Sequence, residues 1–199
     1  MKSKTGEIGK HQIKFSVGFD GLFPSQISYS KEQKDISEEF ILADLIRSKL
    51  FSSKDIAVFD RGIKKRANFK SFWEDDIAFV TRLNTTKNYK ELDNFPFSAN
   101  DGQDTEKLAF QTQKVVYLFG KKNKVCEVPL RLIIYKHKDT KKEIFFLTNI
   151  FDLTTKDITD IYAKRWDIEV FFKFLKQELN FKHFLSRSEN GIKVSLYIS

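Results

Sequence analysis

Residues 55–83 constrain the fold more than any other stretch. A short apolar run, Ile56-Ala57-Val58-Phe59, stops at the polar turn Asp60-Arg61-Gly62. Lys65 to Glu74 then has helical character, and a second apolar run follows at Ile77-Ala78-Phe79-Val80. Runs that are apolar at successive positions fit strands buried on both faces, and two such strands joined through a helix form a parallel β-α-β unit. This commits the chain to an α/β architecture and places Asp60 at the C-terminal end of a buried strand.

The flanking segments fit around that unit. Ile13, Phe15, Val17 and Phe19 alternate as in a half-buried strand, Asp20-Gly21 suits a hairpin turn, and Leu22 to Tyr29 reads as the returning strand. Phe40, Ile41, Leu45, Ile46 and Leu50 recur at helical spacing, which predicts a helix from Ile36 to about Lys49, capped by Asp35 or Ser37. From Asn84 onward polar residues dominate as far as Gln113. Val115–Phe119, Val125–Tyr135 and Glu143–Leu147 then read as antiparallel strands separated by lysine-rich turns. The turn lysines (Lys121, Lys122, Lys124, Lys138, Lys141, Lys142) read as solubilising edge residues, with a binding patch as the alternative. Thr154 and Asp157 have the spacing of a capping box, and neither glycine nor proline interrupts the chain from there to Gly191. A helix from about Thr155 to Leu179 is expected.

Charge and cysteine content narrow the function classes. The net charge of +8 draws the chain to polyanions, nucleic acid or an acidic membrane surface. No apolar stretch is long enough to span a bilayer and Met1–Gln12 lacks the apolar centre of a signal peptide, so a cytoplasmic protein is expected. One cysteine, Cys126, and three scattered histidines, His11, His137 and His183, argue against a disulfide or a Cys/His metal site.

On an ideal helix Tyr162, Arg165, Trp166, Glu169, Lys173 and Lys176 share one face, beside an apolar stripe of Ile161, Ile168, Phe171, Phe172, Leu175 and Leu179. Arg165, Glu169 and Lys173 could simply be i,i+4 partners on a wet face. The register Tyr162-x2-Arg165-x3-Glu169-x6-Lys176 is more specific. It resembles the Tyr-Arg-Glu-Lys signature of DDE transposases of the bacterial insertion-sequence-four family. The resemblance extends to Phe59-Asp60-Arg61-Gly62, Phe79-Val80-Thr81-Arg82-Leu83, Leu147-Thr148-Asn149 and Ser188-Glu189-Asn190-Gly191.

That resemblance implies a ribonuclease-H-like core, here lacking its first strand, with a β-rich insertion between the second catalytic Asp and the catalytic Glu. Residues 1–83 would form the N-terminal part of the core, 84–149 the insertion, and 150–199 the C-terminal part with the Glu-bearing helix. It implies cleavage and strand transfer of double-stranded DNA at transposon ends, with Mg²⁺ or Mn²⁺ in a two-metal site, because in-line phosphodiester displacement uses two divalent ions held by hard carboxylate oxygens. Asp60 and Glu169 would be catalytic acids and metal ligands. Tyr162, Arg165, Lys176, Lys173, Arg82 and Trp166 would contact DNA, Trp166 alternatively serving as a core or rim aromatic like Trp73. A homodimer in a synaptic complex and a nucleoid-associated location follow from the same likeness.

One expected residue is missing from the pattern. The family's first acid lies on a strand upstream of the hairpin, Met1–Gln12 contains no Asp, and Asp20 sits in the hairpin turn. The expectation is therefore a transposase fragment, truncated at both ends, inactive alone and with unpaired strand edges. The alternative is a remnant that binds DNA without cutting it.

Overall fold

The computed structural model describes residues 15–20, 24–29, 38–48, 55–84, 89–92, 102–119 and 125–178. The caps Asp35 and Ser37, the turn lysines Lys121, Lys122 and Lys124, and the Ser188–Gly191 motif lie outside them. Two antiparallel strands, β1 (Phe15–Phe19) and β2 (Pro24–Tyr29), form a sheet of their own. Phe19 pairs with Pro24 after an irregularity at Gly18/Phe19, and the expected Asp20-Gly21 turn runs into residues 21–23, which lie outside the described set. Proline fits the first position of the return strand because it has no N–H to give to a ladder.

Helix α1 (Glu38–Arg47) leads to β3 (Ile56–Phe59), α2 (Arg66–Glu74) and β4 (Ala78–Leu83). Strands β3 and β4 pair in parallel, Ile56 opposite Ala78 through Phe59 opposite Thr81, as the sequence pattern requires. Four more strands follow: β5 (Tyr89–Glu91), β6 (Leu108–Phe119), β7 (Val125–His137) and β8 (Glu143–Thr148). The six strands make one mixed sheet in the order β3-β4-β8-β7-β6-β5. Strand β8 pairs antiparallel with β4, from Val80 opposite Thr148 to Leu83 opposite Phe145. The strands of 84–149 thus continue the sheet that the parallel unit begins.

Each face of this sheet carries its own core. On one side Phe59, Phe69, Phe72 and Phe79 lie with ring centroids 5.5 to 6.4 Å apart, and Ala43 and Ile46 of α1 join Leu130, Leu132 and Leu147. On the other, Val80, Ile133, Tyr135 and Phe146 pack under Ile158 and Tyr162. Strand β3 is fully buried on one face only: Ala57 and Phe59 are buried, Ile56 and Val58 half-buried. That departs from the expected two-sided burial, because Ile56 and Val58 lie at the margin of the second core, packed against it but not covered by it.

The turn after β3 is set by α1. Glu39 Oε1 accepts hydrogen bonds from the backbone N–H groups of Lys64 (2.8 Å) and Lys65 and from Asn68 Nδ2 (3.1 Å). The N-cap Lys65 gives α2 no side-chain cap, so Glu39 supplies one from another helix. Gly62 lies so close to α1 that a Cβ there would sit 3.0 Å from Leu42 Cδ2. These contacts fix the loop that follows Asp60.

Beyond β8, Thr154 and Asp157 form the predicted capping box: Thr154 Oγ1 accepts from the Asp157 N–H (3.1 Å) and Asp157 Oδ2 from the Thr154 N–H (3.1 Å). The single helix expected from Thr155 to Leu179 is instead two, α3 (Thr155–Ala163) and α4 (Arg165–Glu178). At Lys164 the ladder tightens: its N–H bonds to Ile161 O (3.3 Å) and its carbonyl accepts from Asp167 N (3.0 Å), both three residues apart. The two helices rest on different supports. Ile158 and Tyr162 seat α3 on the sheet, whereas Phe171 of α4 stacks on Phe19 of the hairpin at 5.1 Å. Consequently Ile161, Ile168, Phe171 and Phe172 are only half-buried, and the buried side of α3 is Thr155, Ile158, Thr159 and Tyr162. Among the described residues no helix is long and apolar enough to cross a membrane.

Candidate active site

Asp60 follows the last residue of β3, whose pairing with β4 ends at Phe59 opposite Thr81. Thr81 Oγ1 is 3.5 Å from the Asp60 carbonyl, tying the strand end down. From the helix side, Tyr162 donates its hydroxyl to Asp60 Oδ1 at 3.2 Å, across 102 positions of sequence. Its ring is buried edge-on against Phe146, 5.3 Å between centroids.

Two guanidinium groups flank that ring, Arg82 Cζ at 6.0 Å and Arg165 Cζ at 5.5 Å from its centroid. Arg165 Nη1 in turn holds Glu169 Oε1 at 2.5 Å. Arg61 Nε stands 3.8 Å from Asp60 Oδ1, and its Nη1 donates to Asn84 Oδ1 at 3.2 Å. Among the described residues the Nε atoms of Arg82 and Arg165 are both buried without a hydrogen-bond partner. A guanidinium donor without an acceptor is costly, so both cations have unspent capacity for an anion.

Charge state follows from this geometry. Burial alone would raise the Asp60 pKa, but the Arg61 backbone N–H, the Arg165 charge and the Tyr162 hydroxyl outweigh it and hold the carboxyl below its ordinary value. The stabilisation this brings is present above the unfolded value of 3.8 and is lost as the pH falls through the lower folded value. Tyr162 is displaced the other way: burial and then the Asp60 charge raise its pKa, so it is a neutral donor and not an activated nucleophile. Ultraviolet difference titration against Tyr162→Phe should place its ionisation above the ordinary 10.0, with Asp60→Asn moving it back down. An unchanged midpoint in Asp60→Asn would break the assigned coupling.

The site thus brings together Asp60, Arg82, Tyr162, Arg165 and Glu169. Trp166 is 61% exposed on α4, a surface aromatic and not a core one, and Lys173 is also exposed. Lys176 lies on α4, but its side chain is outside the described set. Trp73 meets Phe151 edge-on at 6.3 Å. Among the described residues no three His, Cys, Asp or Glu side chains cluster as metal ligands.

Sequence reasoning missed the supports behind the site. Arg131 of β7 is fully buried; its Nε and Nη2 donate to Gln113 Oε1 (3.0 and 2.7 Å) and its Nη1 to Leu153 O (2.5 Å), just before the cap of α3. Asn149 pairs with β4 as a strand residue would, accepting from Phe79 N–H (2.9 Å) and donating to Ile77 O (2.9 Å). A charged residue inside the apolar run Val128-Pro129-Leu130-Arg131-Leu132-Ile133-Ile134 was the available signal.

Residues 2–199 match the family described as "Transposase DDE domain". Curated relatives include the "Probable transposase for insertion sequence element IS5377" of Geobacillus stearothermophilus, 27% identical over 76% of this chain and 38% of the relative. Another is the "Putative transposase for insertion sequence element IS4SA" of Synechocystis, 27% identical over 71% of this chain and 37% of the relative. The chain spans less than two fifths of the length of these relatives. No solved structure matches it.

Proposed function

We propose, since the chain belongs to the transposase DDE domain family, that it takes part in insertion-sequence transposition in the manner of the insertion-sequence-four branch. It would bind double-stranded transposon ends with the face that carries Asp60 and Glu169. What supports this reading above all is the convergence of Asp60 and the Tyr162-Arg165-Glu169 register, joined by the 3.2 Å Tyr162–Asp60 hydrogen bond.

In this reading Arg82 and Arg165, both close to the Tyr162 ring and each with a buried Nε donor unpaired among the described residues, hold phosphates of the DNA end. Lys173, Lys176 and Trp166 extend the contact along α4. Tyr162 keeps the Asp60 carboxylate oriented and, being neutral, leaves it charged. Asp60 and Glu169 offer hard oxygens that fit Mg²⁺ or Mn²⁺, ions commonly held by one or two carboxylates together with substrate phosphates. Such ions, when bound, activate water or a 3′-hydroxyl and stabilise the leaving oxygen. A ribonuclease-H-like core, a synaptic homodimer and a nucleoid location belong to the same proposal.

The test is DNA binding across a salt series, followed by fluorescence anisotropy on fluorescein-labelled double-stranded DNA. Affinity should fall steeply with salt, and Arg82→Ala or Arg165→Ala should each reduce the log-log slope by about one. Binding indifferent to ionic strength would sink the reading.

A further inference from the structure

We propose that Arg165 is a displaceable counter-ion of the acid pair: its guanidinium and a divalent cation compete for the Glu169 carboxylate, so that loading the cation releases the arginine. The proposal rests on the reading of Asp60 and Glu169 as metal ligands and goes one step beyond it.

Three observations carry it. First, Arg165 already occupies one of the two oxygens that Glu169 has to offer a cation: Nη1 lies 2.5 Å from Oε1, within one turn of α4. Second, Arg165 is placed to act on both acids, since Tyr162 lies against it on one side and against Asp60 on the other. A divalent ion held by either carboxylate would put a second positive charge near the guanidinium, and like charges in so partly buried a place repel. Third, Arg165 is not saturated where it stands. Its side chain is only 18% exposed, yet its Nε is buried with no acceptor among the described residues. A structural arginine in a finished network would spend that donor, as Arg131 spends Nε on Gln113 at 3.0 Å. An i,i+4 ion pair is also a weak tie. Leaving it gives Arg165 the chance to satisfy Nε on a phosphate oxygen, so displacement exchanges an incomplete arrangement for a complete one.

The experiment measures Mn²⁺ binding to the full chain by electron paramagnetic resonance, for wild type, Arg165→Met and Arg165→Lys, with circular dichroism to check folding. Arg165→Met should bind Mn²⁺ about three- to tenfold more tightly, the size expected for lifting one like charge from a partly exposed site. Arg165→Lys, which keeps the charge, should stay closer to wild type. In the wild type, the Nε resonance of Arg165 in ¹⁵N-labelled protein should move as Mg²⁺ is added, a readout independent of whether the methionine variant folds. Unchanged or weaker Mn²⁺ binding by folded Arg165→Met, or a stationary Nε resonance while Mg²⁺ binds, overturns the counter-ion role and leaves the metal ligands standing. Absence of Mn²⁺ binding in wild type and variant alike overturns both.

Discussion

Replacing Glu169 with glutamine is expected to lower the affinity of the chain for Mn²⁺ by at least about a hundredfold, more than the loss typical of outer-shell changes, because under the proposed function a ligand itself is lost. The amide has the size of the carboxylate but no charge, and a hard cation selects anionic oxygen. Stability should barely change, since Glu169 is 42% exposed at the side chain and an amide oxygen still accepts from Arg165 Nη1. Salt-dependent DNA binding without metal should persist. Asp60→Asn should have the same effect on Mn²⁺ while also lowering the Tyr162 pKa, which separates the two acids experimentally. Titration of Mn²⁺ into both variants decides the matter, and wild-type affinity in Glu169→Gln would remove that residue from the site.

The largest effect on stability is expected from Arg131→Ala, about 3 to 5 kcal/mol. A fully buried guanidinium vanishes, Gln113 Oε1 and Leu153 O lose their donors, and a large cavity is left. For a chain of this size that corresponds to a fall of roughly 10 °C in thermal midpoint. Arg131→Met fills most of the volume and isolates the lost hydrogen bonds, so it should lie between wild type and alanine. The loop held by Arg131 leads into α3, and the loss should also loosen Tyr162 and return its ionisation toward the ordinary tyrosine value. A thermal midpoint unchanged in Arg131→Ala would mean that the buried charge costs as much as its contacts return.

Much of the fold was legible because it is local. The parallel unit of β3, α2 and β4 follows from two apolar runs and a helical segment between them, and the start of α3 from a three-residue spacing at Thr154 and Asp157. The pairing of β1 with β2 was visible too, in the alternation of Phe15, Val17 and Phe19. Periodicity did not reveal that β8 would lie against β4, because an edge offers backbone groups that many strands satisfy equally well. Nor did it reveal the break at Lys164, where no glycine, proline or other breaker marks the chain.

What the sequence determined alone was chemistry and spacing: an acid at the end of an apolar strand, and a tyrosine, an arginine, a glutamate and a lysine in register on a helical segment. The covalent chain order and the 3.6-residue repeat suffice for that. Whether those two groups ever meet was decided by tertiary structure alone. The sheet order, the Asn149 and Arg131 anchors and the separate seats of α3 and α4 bring Tyr162 to 3.2 Å from Asp60 and lay Arg165 between that tyrosine and Glu169. Hydrogen bonds and buried contacts between segments far apart in sequence have no periodic signature, so only the folded chain records them.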